Sequence, residues 1–153
     1  MTLSPAEKRD LACYRMEKAK SLLKDAEILL ESGSFSSSAN RSFYAVLAAA
    51  RSLLALRGGN PETHEGVKAF LWKEYIKPRL LPIEAGEIFR MLQARRMDSD
   101  YGDYIEIRSE EATDSVRKAR QFISRSGSRP AGNADSLRKL REALRLDRPP
   151  SPW

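Results

Sequence analysis

Arg41, Tyr44, Ala48 and Arg51 follow one another at steps of three, four and three residues. At about 100° per residue, those steps keep all four on one face of a helix. Two guanidinium groups beside a phenol ring suit contacts to phosphates and to a stacked base. Asn40, next in the chain to Arg41, could orient a phosphate or bond to a nearby carbonyl. The same arginines could instead pair with carboxylates of neighbouring helices, with Ala48 permitting close helix approach. His64 is the only histidine in the chain, and imidazole is the side chain whose ordinary pKa suits proton transfer near neutrality. Its structural role would be to cap or bridge the loop after Gly58-Gly59. Brought near Arg41 by dimerisation, it could serve as a base.

The elements that must position these residues are helices. Ser4 before Pro5 is a helix start, and Ala12, Ala19, Leu22, Leu23, Ala26, Leu29 and Leu30 recur at helical spacing up to Gly33. A second helix runs to Gly58-Gly59 with Ala39, Phe43, Val46, Leu47, Ala50, Leu53 and Leu54 as its core stripe. Asn60 to Thr63 form a turn and cap, and a third helix with Val67, Phe70 and Leu71 inward is closed by Pro78. Ala85, Ile88, Phe89 and Leu92 mark a fourth helix through about Met97, followed by a polar loop from Asp98 to Ile107. A fifth begins near Ser109, with Glu110 and Glu111 at the positive end of its dipole and Ala112, Val116, Ala119, Phe122 and Ile123 inward. No segment shows strand periodicity. The expected fold class is all-α, an up-and-down bundle of four to five helices over residues 5–125. Residues 126–153 form a second region: a Ser-, Gly- and Pro-rich linker, a short basic helix from Asp135 carrying Leu137, Leu140 and Leu144, and a Pro-rich end.

Composition narrows the classes of function. The formal charge of +6 favours polyanion partners, and much of it lies between Arg117 and Arg148. One cysteine, Cys13, excludes an intrachain disulfide and a cysteine-based zinc site; within a helix it reads as a small packing residue. No apolar run reaches the ~20 residues of a membrane span, and the N-terminus lacks a secretory core, so no membrane role and a cytoplasmic location are expected. Gly58-Gly59 ends a helix and lacks a following Lys-Ser/Thr, which argues against a phosphate-cradling loop. Asp98, Asp100 and Asp103 have poor calcium-loop register, since the twelfth position is Ser109. They read as braces for the loop, with Tyr101 and Tyr104 anchoring it. No metal and no cofactor is expected. Spacing leaves Trp72 and Tyr75 open between core and interface.

Three stretches carry a resemblance: Asn40-Arg41-Ser42-Phe43-Tyr44-Ala45 running on to Ala49-Ala50-Arg51-Ser52-Leu53-Leu54; Pro61-Glu62-Thr63-His64-Glu65-Gly66-Val67 followed by Leu80-Leu81-Pro82; and Asp100-Tyr101-Gly102-Asp103 before the last helix. In this order the chain resembles the HEPN domain, in the small prokaryotic branch often encoded beside minimal nucleotidyltransferases, from about Ala6 to Ser124. The resemblance implies a helical bundle, commonly a homodimer with the second helix near the dimer cleft. It also implies a metal-independent ribonuclease site in which an Arg and a His seven residues apart meet the RNA backbone. A toxin role with a nucleotidyltransferase-fold partner is implied as well. Here Arg41 is present and Ala48 stands where the His would be.

Three functional expectations follow. The first is a HEPN-like module of a toxin–antitoxin-type pair that binds RNA or nucleotide through Asn40, Arg41, Tyr44 and Arg51, with a degenerate ribonuclease motif. The second is an active ribonuclease toxin with Arg41 and His64 as catalytic residues, His64 substituting for the missing base. The third is a protein-binding helical adaptor.

Overall fold

The computed structural model describes residues 3–101 and 106–128, and side chains within them except at 99–101 and 127–128. Five helices follow in order: α1 (Pro5–Glu31), α2 (Phe35–Leu56), α3 (His64–Leu71), α4 (Ile83–Tyr101) and α5 (Ser109–Ser128). The described residues contain no strand, so the all-α bundle expected from the periodicity is the fold. The short basic helix expected from Asp135, and the linker before it, lie outside the described residues.

α1 starts where the sequence places it. The Ser4 hydroxyl accepts from the Glu7 amide at 3.1 Å, the Glu7 carboxylate reaches back to the Ser4 amide, and Pro5 occupies the first helical position. It ends at Gly33, whose φ of 80° lies in the left-handed region that glycine enters without steric cost. Its buried residues are mostly small: Ala12, Ala19 and Ala26, with Leu23. That stripe lets α1 lie close against α2, the most extensive packing in the fold. Two buried serines of α2 use the closeness. Ser38 donates to the Ala26 carbonyl at 2.7 Å, and Ser52 donates to the Ala12 carbonyl.

α2 packs against every other helix, and 14 of its 22 residues are buried. All seven positions of its expected core stripe are among them. Phe43 meets Phe89 of α4 edge-on, with ring centroids 5.6 Å apart.

Three local readings are corrected. The third helix is not one α-helix closed by Pro78: α3 passes at Leu71 into a π-helical turn, Trp72–Ile76. The wider turn buries Tyr75 and Ile76 while leaving Trp72 about half exposed. The Tyr75 hydroxyl donates to the Leu53 carbonyl, and burial pushes its pKa up to about 12. α4 runs on to Tyr101 rather than ending near Met97, taking in the first part of the expected loop. Cys13 is exposed on α1 and is no packing residue.

α5 is held to α4 through Asp114, which bonds Arg95 of α4 at 2.8 Å and Lys118 at 2.9 Å, with Arg117 as a third partner. Burial alone would raise the Asp114 pKa, but hydrogen bonds from Lys118, Arg95 and Arg117 outweigh it and hold it at about 2, below the ordinary 3.8. The depressed pKa stabilises the fold at full strength above the unfolded value, and the contribution is lost as pH falls through about 2. Asp114→Asn is expected to lower unfolding free energy by about 1–2 kcal/mol at neutral pH. In urea titrations the gap to wild type should narrow as the pH is taken below 3.8.

Candidate functional site

The face of α2 carrying Arg41, Tyr44, Ala48 and Arg51 is not the uniform, open surface that its spacing suggests. Arg41 is exposed, Asn40, Tyr44 and Arg51 are half-buried, and Ala48 is buried, 8% exposed and part of the main core. The cause is the central place of α2, whose sides are covered by neighbours beyond the single stripe of large apolar residues. Ala48 therefore serves close packing. Among the described residues Arg51 pairs with no carboxylate: its Nη1 donates to the Pro61 carbonyl at 3.0 Å. The Arg51 carbonyl in turn accepts from Arg15 of α1 at 3.2 Å, and Arg15 also bonds the Asn60 side chain. These bonds tie the loop between α2 and α3 to the bundle.

That loop delivers His64. Thr63 caps α3, its hydroxyl accepting from the Gly66 amide at 2.9 Å, so His64 is the first helical residue and not the cap. Upstream, a Cβ at Gly59 would lie 2.6 Å from the Phe70 ring, so the turn needs glycine to pass this close. The imidazole packs edge-on against Phe43 of α2 at 5.3 Å between centroids, and against Tyr44 at 6.4 Å.

A residue that the spacing did not single out completes the corner. Arg96 of α4 lies over the Tyr44 ring at 5.6 Å, and its Nη2 donates to the Tyr44 hydroxyl at 3.1 Å. Tyr44, His64 and Arg96 thus converge from three helices. Arg95-Arg96 is a visible pair in the sequence, but nothing local says that Arg95 turns to Asp114 of α5 while Arg96 turns to Tyr44.

The electrostatics follow from this placement. Partial burial lowers the His64 pKa below its ordinary 6.5, and the nearby cations Arg96 and Arg51 lower it further, against a smaller opposing effect of Glu65. Glu65 is itself held by Lys68 at 2.9 Å and by Gln93 at 3.3 Å. His64 is therefore neutral at pH 7, able to accept a hydrogen bond or a proton. Exposed Arg41 sits on α2 one turn N-terminal to Tyr44. Asp100, Tyr101, Asp103 and Tyr104, expected to brace the adjoining loop, have side chains outside the described set. Elsewhere, an apolar groove of about 390 Å³ runs between the π-helical turn and α4, with Trp72, Ile76 and Ile83 in its wall; Tyr44, His64 and Arg96 do not line it. No helix among the described residues is long and apolar enough to cross a membrane.

This helical bundle, with Arg41 and its neighbours on the central helix, matches the family model of the HEPN domain over residues 12–128. The chain belongs to the HEPN domain family. It is 30% identical over 139 residues to a UPF0332 protein of Thermotoga maritima, covering 91% of this chain and 97% of that one. It is 31% identical over 111 residues to a Methanocaldococcus jannaschii protein provisionally named a toxin, covering 72% of this chain and 76% of the relative. A UPF0332 protein of Archaeoglobus fulgidus is 27% identical over 112 residues, 73% of this chain and 89% of its own.

Removing the cation over Tyr44 should release part of the depression at His64. Arg96→Gln is expected to raise the midpoint of the imidazole titration toward 6.5, as followed by NMR. An unchanged midpoint would show that Arg96 does not set the electrostatics of this corner.

Proposed function

We propose that this chain is a toxin-type HEPN module that binds RNA, with the ribonuclease pair of α2 incomplete. The observation that carries the reading is the convergence of Tyr44, His64 and Arg96 beside exposed Arg41 on the central helix of a HEPN bundle. The toxin assignment is supported by the relative provisionally named a toxin. In this reading Arg41 and Arg96 meet backbone phosphates, and Tyr44 offers a ring edge and a hydroxyl to the nucleotide. Arg51 braces the loop carrying His64 and adds positive potential, and Asn40 flanks Arg41 at the entrance. A homodimer and a nucleotidyltransferase-fold partner, both implied by the family resemblance, belong to the same proposal.

Metal-independent cleavage needs one group to take the 2′-hydroxyl proton and another to protonate the leaving oxygen. Arg41 could stabilise charge on the phosphorane but cannot act as a base at ordinary pH. Ala48 supplies nothing, and its burial leaves no room for a neighbouring group to take its place. One observation favours a second reading, residual ribonuclease activity: His64 is neutral at pH 7 and within one corner of Tyr44 and Arg96. There it would act as the base, with Arg96 beside the developing charge.

Labelled single-stranded RNA incubated without metal separates these readings. Wild type is expected to bind without turnover, and Arg41→Ala and Arg96→Gln should each weaken binding about fivefold and reduce the salt slope by about one. Binding unaffected by both substitutions would remove the interface. Cleavage abolished by Arg41→Ala and by His64→Ala would establish the second reading instead. Ala48→His is expected to cost about 1–3 kcal/mol, because the position is packed.

A further inference from the structure

The apolar groove beside α4 exposes two large side chains. Trp72 is 49% exposed and Ile83 60%, and they share its wall with buried Ile76. Gly86 lets that wall form: a Cβ there would lie 2.9 Å from the Ile76 Cδ1, so glycine allows the π-helical turn to approach α4. Single exposed apolar side chains are ordinary on a protein surface. A tryptophan and an isoleucine in one concave apolar wall instead form a surface that gains by being covered.

The chain brings a covering segment to this place. α4 and α5 run antiparallel: Arg95 bonds Asp114, while Met91, one turn earlier on α4, meets Lys118, one turn later on α5. The same register carried onward brings the end of α5 level with the start of α4, where Ile83 and Gly86 lie. From there residues 129–134 reach at most about 20 Å when extended. Outside the described residues, Asp135 begins a segment in which Leu137, Leu140 and Leu144 recur at steps of three and four. A helix of roughly 12 residues is marginal alone in water and needs an apolar surface to lie on.

The charges favour one orientation. Arg138, Arg141 and Arg145 each follow a leucine by one position, so one edge of the leucine stripe is basic. The positions preceding the leucines hold Ser136, Lys139 and Ala143, a single cation. Exposed Glu84 and Glu87 lie seven and four residues before Met91, on the flank of α4 turned toward α5. That flank faces the side from which the segment arrives. Of the cations in the groove wall, Lys68 is paired with Glu65 at 2.9 Å, and Arg90 lies one turn beyond Gly86. We propose that residues 135–148 dock as a helix on their own chain, with the leucine stripe in the groove of Trp72, Ile76 and Ile83 and the arginine edge toward Glu84 and Glu87. This interaction is independent of the RNA-binding reading.

The test uses the full chain carrying Trp153→Phe, which leaves Trp72 as the only tryptophan. Acrylamide quenching of Trp72 is expected to be at least about twofold stronger in Leu140→Asp/Leu144→Asp than with both leucines intact, because the ring returns to water. Ile83→Asp tests the other wall: amide exchange of residues 137–144 is expected to quicken about tenfold. Ile83 is exposed, and circular dichroism checks that each variant retains its helices. Quenching unmoved by the leucine substitutions, or exchange unmoved by Ile83→Asp, overturns the proposal. Responses that appear only as protein concentration rises, with a doubled mass in sedimentation, overturn docking on the same chain and make a second copy the occupant.

Discussion

The bundle depends on the close contact between α1 and α2, which two buried hydroxyls hold in register. Ser52 bonds the Ala12 carbonyl near the start of α1, and Ser38 bonds the Ala26 carbonyl near its end, so the two helices run antiparallel with matched spacing. Each carbonyl has a second lone pair beyond its own helical bond. Each hydroxyl would be costly to bury without a partner, whereas paired it adds about 0.5–1.5 kcal/mol. Larger side chains at Ala12 or Ala26 would push the helices apart and strand both hydroxyls. Small residues and buried serines thus act together.

Once α1 covers one side of α2, the other helices must cover the rest. α3 and α4 close over Phe43 and Tyr44, and α5 packs against the remaining side. α2 becomes the centre of the molecule, and residues on it reach solvent only where its neighbours diverge. Arg41 does so near one end. The site is consequently a corner between helices, with its aromatic floor supplied by α2 and its charges by three different segments. This also explains why Arg51, which spacing groups with Arg41, is occupied with the Pro61 carbonyl.

The corner is held together by structural contacts made elsewhere. Arg51 is kept near the imidazole by the loop it braces, and Arg96 by the ring and hydroxyl of Tyr44. Neither cation can leave without giving up those contacts. The histidine accommodates them by staying neutral, which for an imidazole costs little near pH 7.

The sequence by itself determined the helices, the large apolar core and the HEPN family. Ser4, Pro5 and Gly33 act through local backbone chemistry, and Phe43, Val46, Leu53 and Leu54 announce their face by spacing and size. Only the tertiary structure decided that Ala48 is core, that Arg96 joins Tyr44 and His64, and that Trp72–Ile76 forms a π-helical turn. The reason is physical. Alanine and serine are at home on a surface or in a tight interface, so periodicity cannot say which one they occupy. An arginine's long side chain can reach several elements, and its partner is set by distant helices rather than by its neighbours in the chain. The helices could be read from local spacing, whereas the charged corner exists only because α2, α3 and α4 meet there.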